Sequence, residues 1–576
     1  MSTREQSSGP EAPLADVRGL LGVRGRLGAR LREGSRRQGR RASPALVAGA
    51  TLVALGVNAP VVYLLVRSLE AGPAGWRAAF VSPATLALVG RTLTLALGVV
   101  ALALALALPL AWLVARTDLP GRRYWMLTGA LPLVFPSYVS AFALVAVFGP
   151  RGHLQQWLAP LGVERLPDVA YGYSGALLAL GLFTFPYLFL LLVAGLRSLD
   201  PALEESSIAL GASRWTTFRR VVLPQLRPAL YGGSTLIALY TLADFGAVSI
   251  ARYDTFTVSI YSAYRGLLDR GAAALLATLL VALSFGVLLV ETRLLGTLPP
   301  RAARPARPGR PLSLGRWRLP AVAFAGGLAL ITLGMPLGVI AGWGARALAA
   351  GRSLGSVHQA TVSSLWVSLC AAAVAVALAL PAAAWASSRP SRPARAVEAL
   401  SRSGFALPGI VVALALVFLT TRALPWLYQT TALLVAAYVI RFLPEALSAA
   451  RAAFAAVPGR VEEAARSLGD PPRRVLLRVS LPLMRPALLG GGGLVFLTSM
   501  KELPATLILS PIGFETLATR IWSAAGEGIY SRAALPALVL LAASALPVWW
   551  LVIRPVLQET VERHDLEQPA GAQAGG

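Results

Sequence analysis

The chain is short of side chains on which much protein chemistry depends. It has one cysteine, Cys370, so no disulfide can form within it; the apolar run around Cys370 marks a buried, inert thiol. Three histidines, His153, His358 and His564, are scattered over 576 residues, too few for a multi-histidine metal site or a haem relay. There is one lysine, Lys501. A phosphate-cradling loop of the form G-x-x-x-x-G-K-[ST] needs a lysine followed by Ser or Thr, and Lys501 is followed by Glu502, so this pattern builds no nucleotide site. Charge is scarce overall, at 14% of residues against about 25% in ordinary soluble domains. No nucleophile–base pair or metal-ligand cluster stands out, which argues against an enzyme.

What the chain does have is apolar length. It is 56% hydrophobic, and a helix crossing a bilayer needs about 20 mainly apolar residues. Apolar runs lie near 44–67, 84–115, 124–148, 174–196, 229–250 and 271–294, then near 319–344, 359–388, 402–421, 424–450, 487–509 and 533–556. The expected fold is an all-α polytopic membrane protein with twelve transmembrane helices. Five prolines between Pro299 and Pro311 separate the two sets and prevent a continuous helix there. The expected organisation is an Arg-rich, disordered cytoplasmic tail over 1–43, a first membrane domain over 44–296, a Pro/Arg-rich cytoplasmic linker over 297–318, a second membrane domain over 319–558 and a C-terminal tail over 559–576. The tail holds ten arginines, too many for a cleavable signal, so residues 45–66 read as an uncleaved first span.

The formal net charge of +26 would suggest nucleic acid in a soluble protein. Here the arginines cluster between spans, where asymmetry across a membrane accounts for them without nucleic acid. With the N-terminus in the cytoplasm, Arg116, Arg122 and Arg123, the linker arginines, and Arg389, Arg392, Arg395 and Arg402 all fall inside. The outside loops carry fewer net positive charges. Both termini are then cytoplasmic.

One polar stretch occurs twice. Residues 204–230 read EESSIALGASRWTTFRRVVLPQLRPAL and residues 462–488 read EEAARSLGDPPRRVLLRVSLPLMRPAL, with 12 of 27 positions identical at a constant offset of 258. Pro186 and Pro444 share the same offset, and LALPLAW around Pro109 resembles LALPAAAW around Pro381. The two halves therefore read as parallel six-helix repeats with a pathway between them. In each repeated stretch a short amphipathic run ends at a glycine suited to a left-handed stop, Gly211 or Gly469. A second basic helix follows, and Pro224 or Pro482 ends or kinks the chain before the next span. The reading is a rigid helix–turn–helix stub in the cytoplasm that docks a soluble partner; the bland alternative is an amphipathic helix lying on anionic membrane lipid.

The pattern Glu205…Gly211…Leu223-Pro224 and Glu463…Gly469…Leu481-Pro482 resembles the EAA loop of the permease subunits of ATP-binding-cassette importers. The resemblance implies that Glu204, Glu205, Gly211, Pro224, Glu462, Glu463, Gly469 and Pro482 form two coupling helices, one for each of two copies of a cytoplasmic ATPase. It implies further that ATP is used by that partner, with no cofactor bound by this chain, and that a periplasmic or lipid-anchored binding protein delivers the substrate at a bacterial inner membrane. The stretches FPSYVSAF (135–142), TLADFGAVSIARYDTFTVSIYSAY (241–264) and SMKELPATLILSPIGFETLATRIW (499–522) are similar to fused permeases of the ferric-iron importer family, whose relatives serve thiamine and phosphonate.

Of the charged residues within apolar runs, Asp244, Arg441, Lys501 and Glu502 are the pathway candidates. Asp244 and Glu502 stand at the 258 offset. An ionisable group at mid-bilayer costs about 2.5–3.5 kcal/mol on insertion scales, so it usually faces a pathway or a partner. Asp244 lies about 16 residues beyond Pro228, roughly 24 Å along a helix. Asp244, Lys501 and Glu502 line a pathway, where carboxylates would suit a hard cation, or serve as a structural ion pair or interface anchor; Arg441 lines the pathway, caps a neighbouring helix or snorkels. A secondary transporter with parallel repeats is the rival class.

Overall fold

A computed structural model describes residues 43–150, 152–162, 167–266, 269–296, 311–351, 354–388 and 391–549. The tails expected over 1–43 and 559–576, apart from Ser43, and most of the linker lie outside them. Among the described residues the chain is helical, with one isolated bridge between Thr117 and Leu312.

The first half contains α1 (Pro44–Leu69), α2 (Pro83–Arg116), α3 (Arg122–Ala130), α4 (Ser137–Phe148), α5 (Gly172–Arg197), α6 (Pro201–Ala209), α7 (Leu223–Ala243) and α8 (Arg270–Gly296). The second half contains α9 (Gly315–Ala349), α10 (His358–Ser388), α11 (Arg392–Arg402), α12 (Gly409–Ala423), α13 (Thr431–Ala456), α14 (Gly459–Ser467), α15 (Leu481–Met500) and α16 (Tyr530–Val548). Nine helices are long and apolar enough to cross a membrane among the described residues, and eleven if each of two bent pairs is one span. The all-α polytopic class is as expected. The expected count of twelve is not reached by this measure, because α7 carries Gln225, Arg227, Gly232 and Gly233 and is less apolar than its twin α15.

The bent pairs correct the reading of 124–148 and 402–421 as straight spans. The chain turns by 99° between the segments Arg122–Val134 and Ser137–Leu161, and by 107° between Arg392–Ala406 and Gly409–Ala423. The cause is local. Pro136 and Pro408 force the preceding Phe135 and Leu407 out of the helical region, to ψ 125° and 116°. Beyond the breaks, α4 is buried along Ser137–Val147 and α12 along Gly409–Phe418. A helix that is apolar all round belongs in the interior, and these two stand near the centre of the molecule. Pro109/Pro381 and Pro136/Pro408 match at an offset of 272, whereas Pro186/Pro444 match at 258. The first half therefore carries 14 additional residues between Pro136 and Pro186, where the outer helix His153–Leu158 sits.

Each half has a three-helix core, of α2, α5 and α7 or of α10, α13 and α15. Small residues let the backbones approach, since between helices in lipid there is little hydrophobic drive beyond close packing. Ala103, Ala107 and Ala111 on α2 and Ala371, Ala375 and Ala379 on α10 are wholly buried. Gly233 and Gly491 are equivalent at the 258 offset: a Cβ on Gly233 would meet Leu188, and one on Gly491 would meet Ala449. The first helix of each half reaches across to the other. α1 packs on α10, α11 and α12, with the Asn58 amide donating to the Leu400 carbonyl at 2.9 Å, and α9 packs on α16 and α4.

Gly491→Ala should therefore overpack the α13–α15 contact and destabilise the protein by about 1–3 kcal/mol, read as a lower unfolding midpoint in detergent. Gly492→Ala is the control. Its Cβ would make only ordinary contact with Val376, at 3.5 Å, so its midpoint should not fall.

Candidate functional site

The spans that follow the two repeated stretches also break. α7 ends at Asp244 and the short helix Gly246–Ile250 follows; α15 ends at Lys501 and the helix Pro504–Leu509 follows. With the breaks at Phe135-Pro136 and Leu407-Pro408, four interruptions in helical backbone now lie in two equivalent pairs. All four border one cavity of about 190 Å³ between the halves, lined by Phe135, Leu407, Asp244 and Glu502 among others. Non-helical backbone at membrane depth is tolerated where it is buried in protein or lines a cavity.

The lining pairs off by the two offsets. Leu133 and its twin Phe405, Tyr187 and Glu445, Tyr240 and Thr498, and Asp244 and Glu502 all line it. The cavity therefore lies on the axis relating the two halves.

All four charged residues expected from sequence meet here. Asp244 and Glu502 are buried, 7% and 5% exposed. Asp244 Oδ1 accepts from the backbone N–H of Ala247 at 2.9 Å, and Ser137 hydrogen-bonds the same carboxylate. Glu502 accepts from the Ala505 N–H at 3.3 Å and receives both short bonds of Arg441, at 2.6 Å. Lys501 Nζ donates to the carbonyl of Leu133 in the opposite half at 2.6 Å. The two readings left open by the sequence are thus both realised: the carboxylates cap broken helices, one of them is ion-paired, and all the side chains border the cavity.

Glu445 was missed. It lies one residue beyond Pro444 on α13, lines the cavity, and accepts from Thr498 Oγ1 at 3.1 Å. Its twin in the first half is the uncharged Tyr187, so comparison of the repeats does not flag it. Tyr138 was also missed; it is 2% exposed, lines the cavity, and its hydroxyl has no hydrogen-bond partner among the described residues. The signal available for it was FPSYVSAF, a polar residue just past a proline break.

The repeated stretches form matching stubs. In the first, Asp200 caps α6 by accepting from Ala202 N–H at 3.0 Å, and Gly211 stops it at φ +86°. In the second, α14 stops at Gly469 with φ +90°. Ser213 restarts the helix in one copy by accepting from Thr216 N–H at 3.2 Å; Pro472 opens the restart in the other. At each tip an apolar side chain stands nearly bare, Leu210 at 88% and its twin Leu468 at 87%. Pro224 and Pro482 do not end the helix. Each lies in the first turn of its span, behind a π turn at Phe218–Val222 or Leu476–Ser480, and helical backbone runs from Arg214 to Ala243 and from Pro472 to Met500. A wide turn ahead of the proline relieves the clash of its ring with the preceding turn.

The paired glutamates divide their work. Glu205 and Glu463 are exposed, whereas Glu204 and Glu462 turn inward. Glu204 pairs with Arg116 at the end of α2 at 2.7 Å, both largely buried. Burial pushes the Glu204 carboxyl up, and the Arg116 guanidinium opposes that shift. Glu462 instead accepts from Ser480 Oγ at 2.8 Å and from Arg466 at 3.0 Å. Beside Arg116, the described end of the linker is hydrogen-bonded to the loop: Leu312 N–H to the Arg116 carbonyl at 2.8 Å, and Leu314 N–H to Asp118 Oδ1 at 2.8 Å. Among the described residues only the first stub has this second anchorage.

The family described as "Binding-protein-dependent transport system inner membrane component" matches the chain twice, over residues 104–294 and 375–553. The Fe(3+)-transport system permease protein FbpB 2 of Haemophilus influenzae is 31% identical over 511 residues, 87% of this chain and 96% of that one. The putative ferric transport system permease protein FbpB 1 of the same organism is 24% identical over 66% of this chain and 63% of its own. The sulfate transport system permease protein CysT of Escherichia coli is 34% identical over 24% of this chain and 49% of its own.

Arg116→Ala should loosen the first stub alone. Leaving the Glu204 carboxyl without its partner costs about 1–3 kcal/mol, so amide exchange over 201–210 should quicken about tenfold. Exchange over 459–468 should stay as it is. Equal acceleration in both stubs would contradict the assignment.

Proposed function

The chain belongs to the inner-membrane components of binding-protein-dependent transport systems, and on that premise we propose that it is the permease of an ATP-driven importer of ferric iron, with both permease domains in one polypeptide. It is a multi-pass inner-membrane protein that works with a binding protein and an ATPase. Family membership sets aside the ATP-independent secondary transporter. The observation that carries the reading of the pathway is the convergence of four helix breaks on one cavity between the halves. Discontinuous helices at the interface of repeats are where transporters hold their cargo.

The choice of iron over sulfate rests on charge. The cavity has three carboxylates, Asp244, Glu445 and Glu502, against two cations, Arg441 and Lys501. Formally that is −3 and +2, a net −1, and Glu502 already holds Arg441. Such a lining favours a hard cation and disfavours a dianion. The relative covering almost the whole chain is named for Fe(3+), whereas the sulfate relative covers a quarter of it.

In this reading both stubs are coupling helices in the cytoplasm, each seated on one of two ATPase copies, with Leu210 or Leu468 as the apolar contact. Glu205 and Glu463 face the partner, and Glu204 and Glu462 hold the stub to its own spans. ATP is bound and hydrolysed on the partner. Closure of the ATPase pair draws the stubs together and opens the cavity toward a binding protein on the outer face. Both termini lie in the cytoplasm, and the arginines meet anionic membrane lipid on that side.

The test is uptake by vesicles holding the reconstituted permease, ATPase and binding protein, offered labelled ferric iron, thiamine, phosphonate or sulfate. Only ferric iron should accumulate, and only with ATP. Asp244→Asn and Glu502→Gln should each lower uptake at least tenfold while the ATPase still co-purifies. Gly211→Val together with Gly469→Val should abolish coupling, since a β-branched residue resists φ near +90°. Import of another substrate, or full uptake by both carboxylate variants, would overturn the reading.

A further inference from the structure

Five charged side chains line the cavity, and their distribution is lopsided. The second half supplies Arg441, Glu445, Lys501 and Glu502. At the same positions the first half has Phe183, Tyr187, Ala243 and Asp244. A passive scaffold duplicated from one ancestor has no evident need to place four charges on one side.

Three of the charges are spoken for by backbone or by one another. Glu502 neutralises Arg441 through two short bonds and caps the helix Pro504–Leu509. Asp244 caps the helix Gly246–Ile250 through Oδ1. The remaining pair is Glu445 and Lys501. Among the described residues the Glu445 carboxylate accepts only from a neutral hydroxyl, that of Thr498, and the opposite charge acting on Lys501 is that of Glu445. Lys501 itself makes a bond that crosses the molecule, to the carbonyl of Leu133. That carbonyl lies at the Phe135-Pro136 break, in the first half. The one lysine of the chain thus stands beside a carboxylate of its own half and fastens the opposite half.

A second observation points to a ligand. The hydroxyl of Tyr138 is buried and has no hydrogen-bond partner among the described residues, although Tyr138 lines the cavity. A buried hydroxyl without a partner costs about 1–3 kcal/mol, and native proteins seldom keep one without a use for it. Carboxylate and phenol oxygens are hard donors, suited to a hard, highly charged cation. Among the described residues no three His, Cys, Asp or Glu gather closely enough to hold a metal ion. A transport pathway wants such a site, because the ion must be able to leave.

We propose that Lys501 is a tethered counter-cation of the pathway, competing with a hard trivalent cation for the Glu445 carboxylate, and that the arriving cation, drawn also to the Asp244 and Tyr138 oxygens of the same cavity, displaces it and frees its clamp on Leu133. The identity of the cargo as ferric iron rests on the function proposed above, while the cation site does not. Charge balance follows. With Lys501 turned away, Asp244 and Glu445 present two negative charges to the ion; once the ion moves on, the ammonium returns and the Glu445–Lys501 pair is neutral again. Arrival of cargo is thereby linked to the contact between the halves.

The experiment is a terbium(III) titration of the purified permease–ATPase complex, read by tyrosine-sensitised emission and competed with gallium(III). Wild type should give saturable emission that gallium(III) removes. Glu445→Gln and Asp244→Asn should each weaken binding about tenfold. Lys501→Met should tighten it about tenfold, because the competitor is gone, and Lys501→Arg should leave it near wild type. A lysine that served only to tie the halves would give no tightening in Lys501→Met. Binding unchanged by Glu445→Gln, or no tighter in Lys501→Met while the ATPase still co-purifies, would overturn the proposal. Iron uptake by the wild-type vesicles separates the two claims: no iron uptake with the terbium series as expected defeats the ferric reading alone, and iron uptake with a flat series defeats the counter-cation alone.

Discussion

In hydrocarbon every backbone N–H and C=O must find a partner inside the protein, and this constraint governs where the chain is allowed to stop being a helix. It stops at four places within its apolar body, at Phe135-Pro136, Asp244, Leu407-Pro408 and Lys501-Glu502, and all four meet at one cavity. Side chains there answer the freed backbone. The Asp244 carboxylate takes the N–H of Ala247, the Glu502 carboxylate takes that of Ala505, and the Lys501 ammonium serves the Leu133 carbonyl across the divide. The charges that make the cavity chemically interesting are thus the same ones that make its broken helices affordable. Neither role can be altered without touching the other.

The duplication sets the frame, and the differences between copies carry the specific chemistry. Gly211 and Gly469, Leu210 and Leu468, Gly233 and Gly491, and Asp244 and Glu502 occupy equivalent places and keep equivalent roles. These are positions where geometry leaves little choice: a left-handed backbone, a bare contact at a tip, two helices in close approach, a helix start. Where geometry allows a choice the halves part. Tyr187 is the twin of Glu445 and Ala243 of Lys501, and the first stub is tied by a buried ion pair beside the linker while the second is tied by a serine. A fused chain can hold such asymmetry permanently, because each half always meets the same partner half.

Much of this was legible in the sequence, for identifiable reasons. Hydropathy marks long apolar helices because lipid demands them, and the 258 offset picks out the stubs and the Asp244/Glu502 pair because duplication preserves spacing. What hydropathy cannot register is direction. The runs over 124–148 and 402–421 are apolar throughout, so the right-angle turns at Pro136 and Pro408 read as uninterrupted spans. Pro224 misled in the opposite sense: it looked like a stop, yet a π turn carries the helix through it. Glu445 escaped although it lies in the same apolar run as Arg441: its twin is the uncharged Tyr187, and its place on the cavity wall shows only in the packed structure. Tyr138 escaped because one hydroxyl in an apolar stretch is usually satisfied by its neighbours; only the packed structure leaves it without a partner.

The refuted stop at Pro224 and Pro482 changes how the two ends of the molecule are connected. Helical backbone runs unbroken from Arg214 to Ala243, about 45 Å at 1.5 Å per residue, and the equivalent rod runs from Pro472 to Met500. At its lower end each rod adjoins the stub that stops at Gly211 or Gly469. At its upper end each terminates on a cavity carboxylate, Asp244 or Glu502. A helix that stopped at the proline would not carry a displacement of the stub into the membrane. A continuous rod, clamped by Gly233 or Gly491 against its neighbour, delivers that displacement to the very residue that caps the next half-helix. The tip of the stub and the cavity lining are thus joined by one continuous helix, and the glycine contact midway holds that helix against its neighbour.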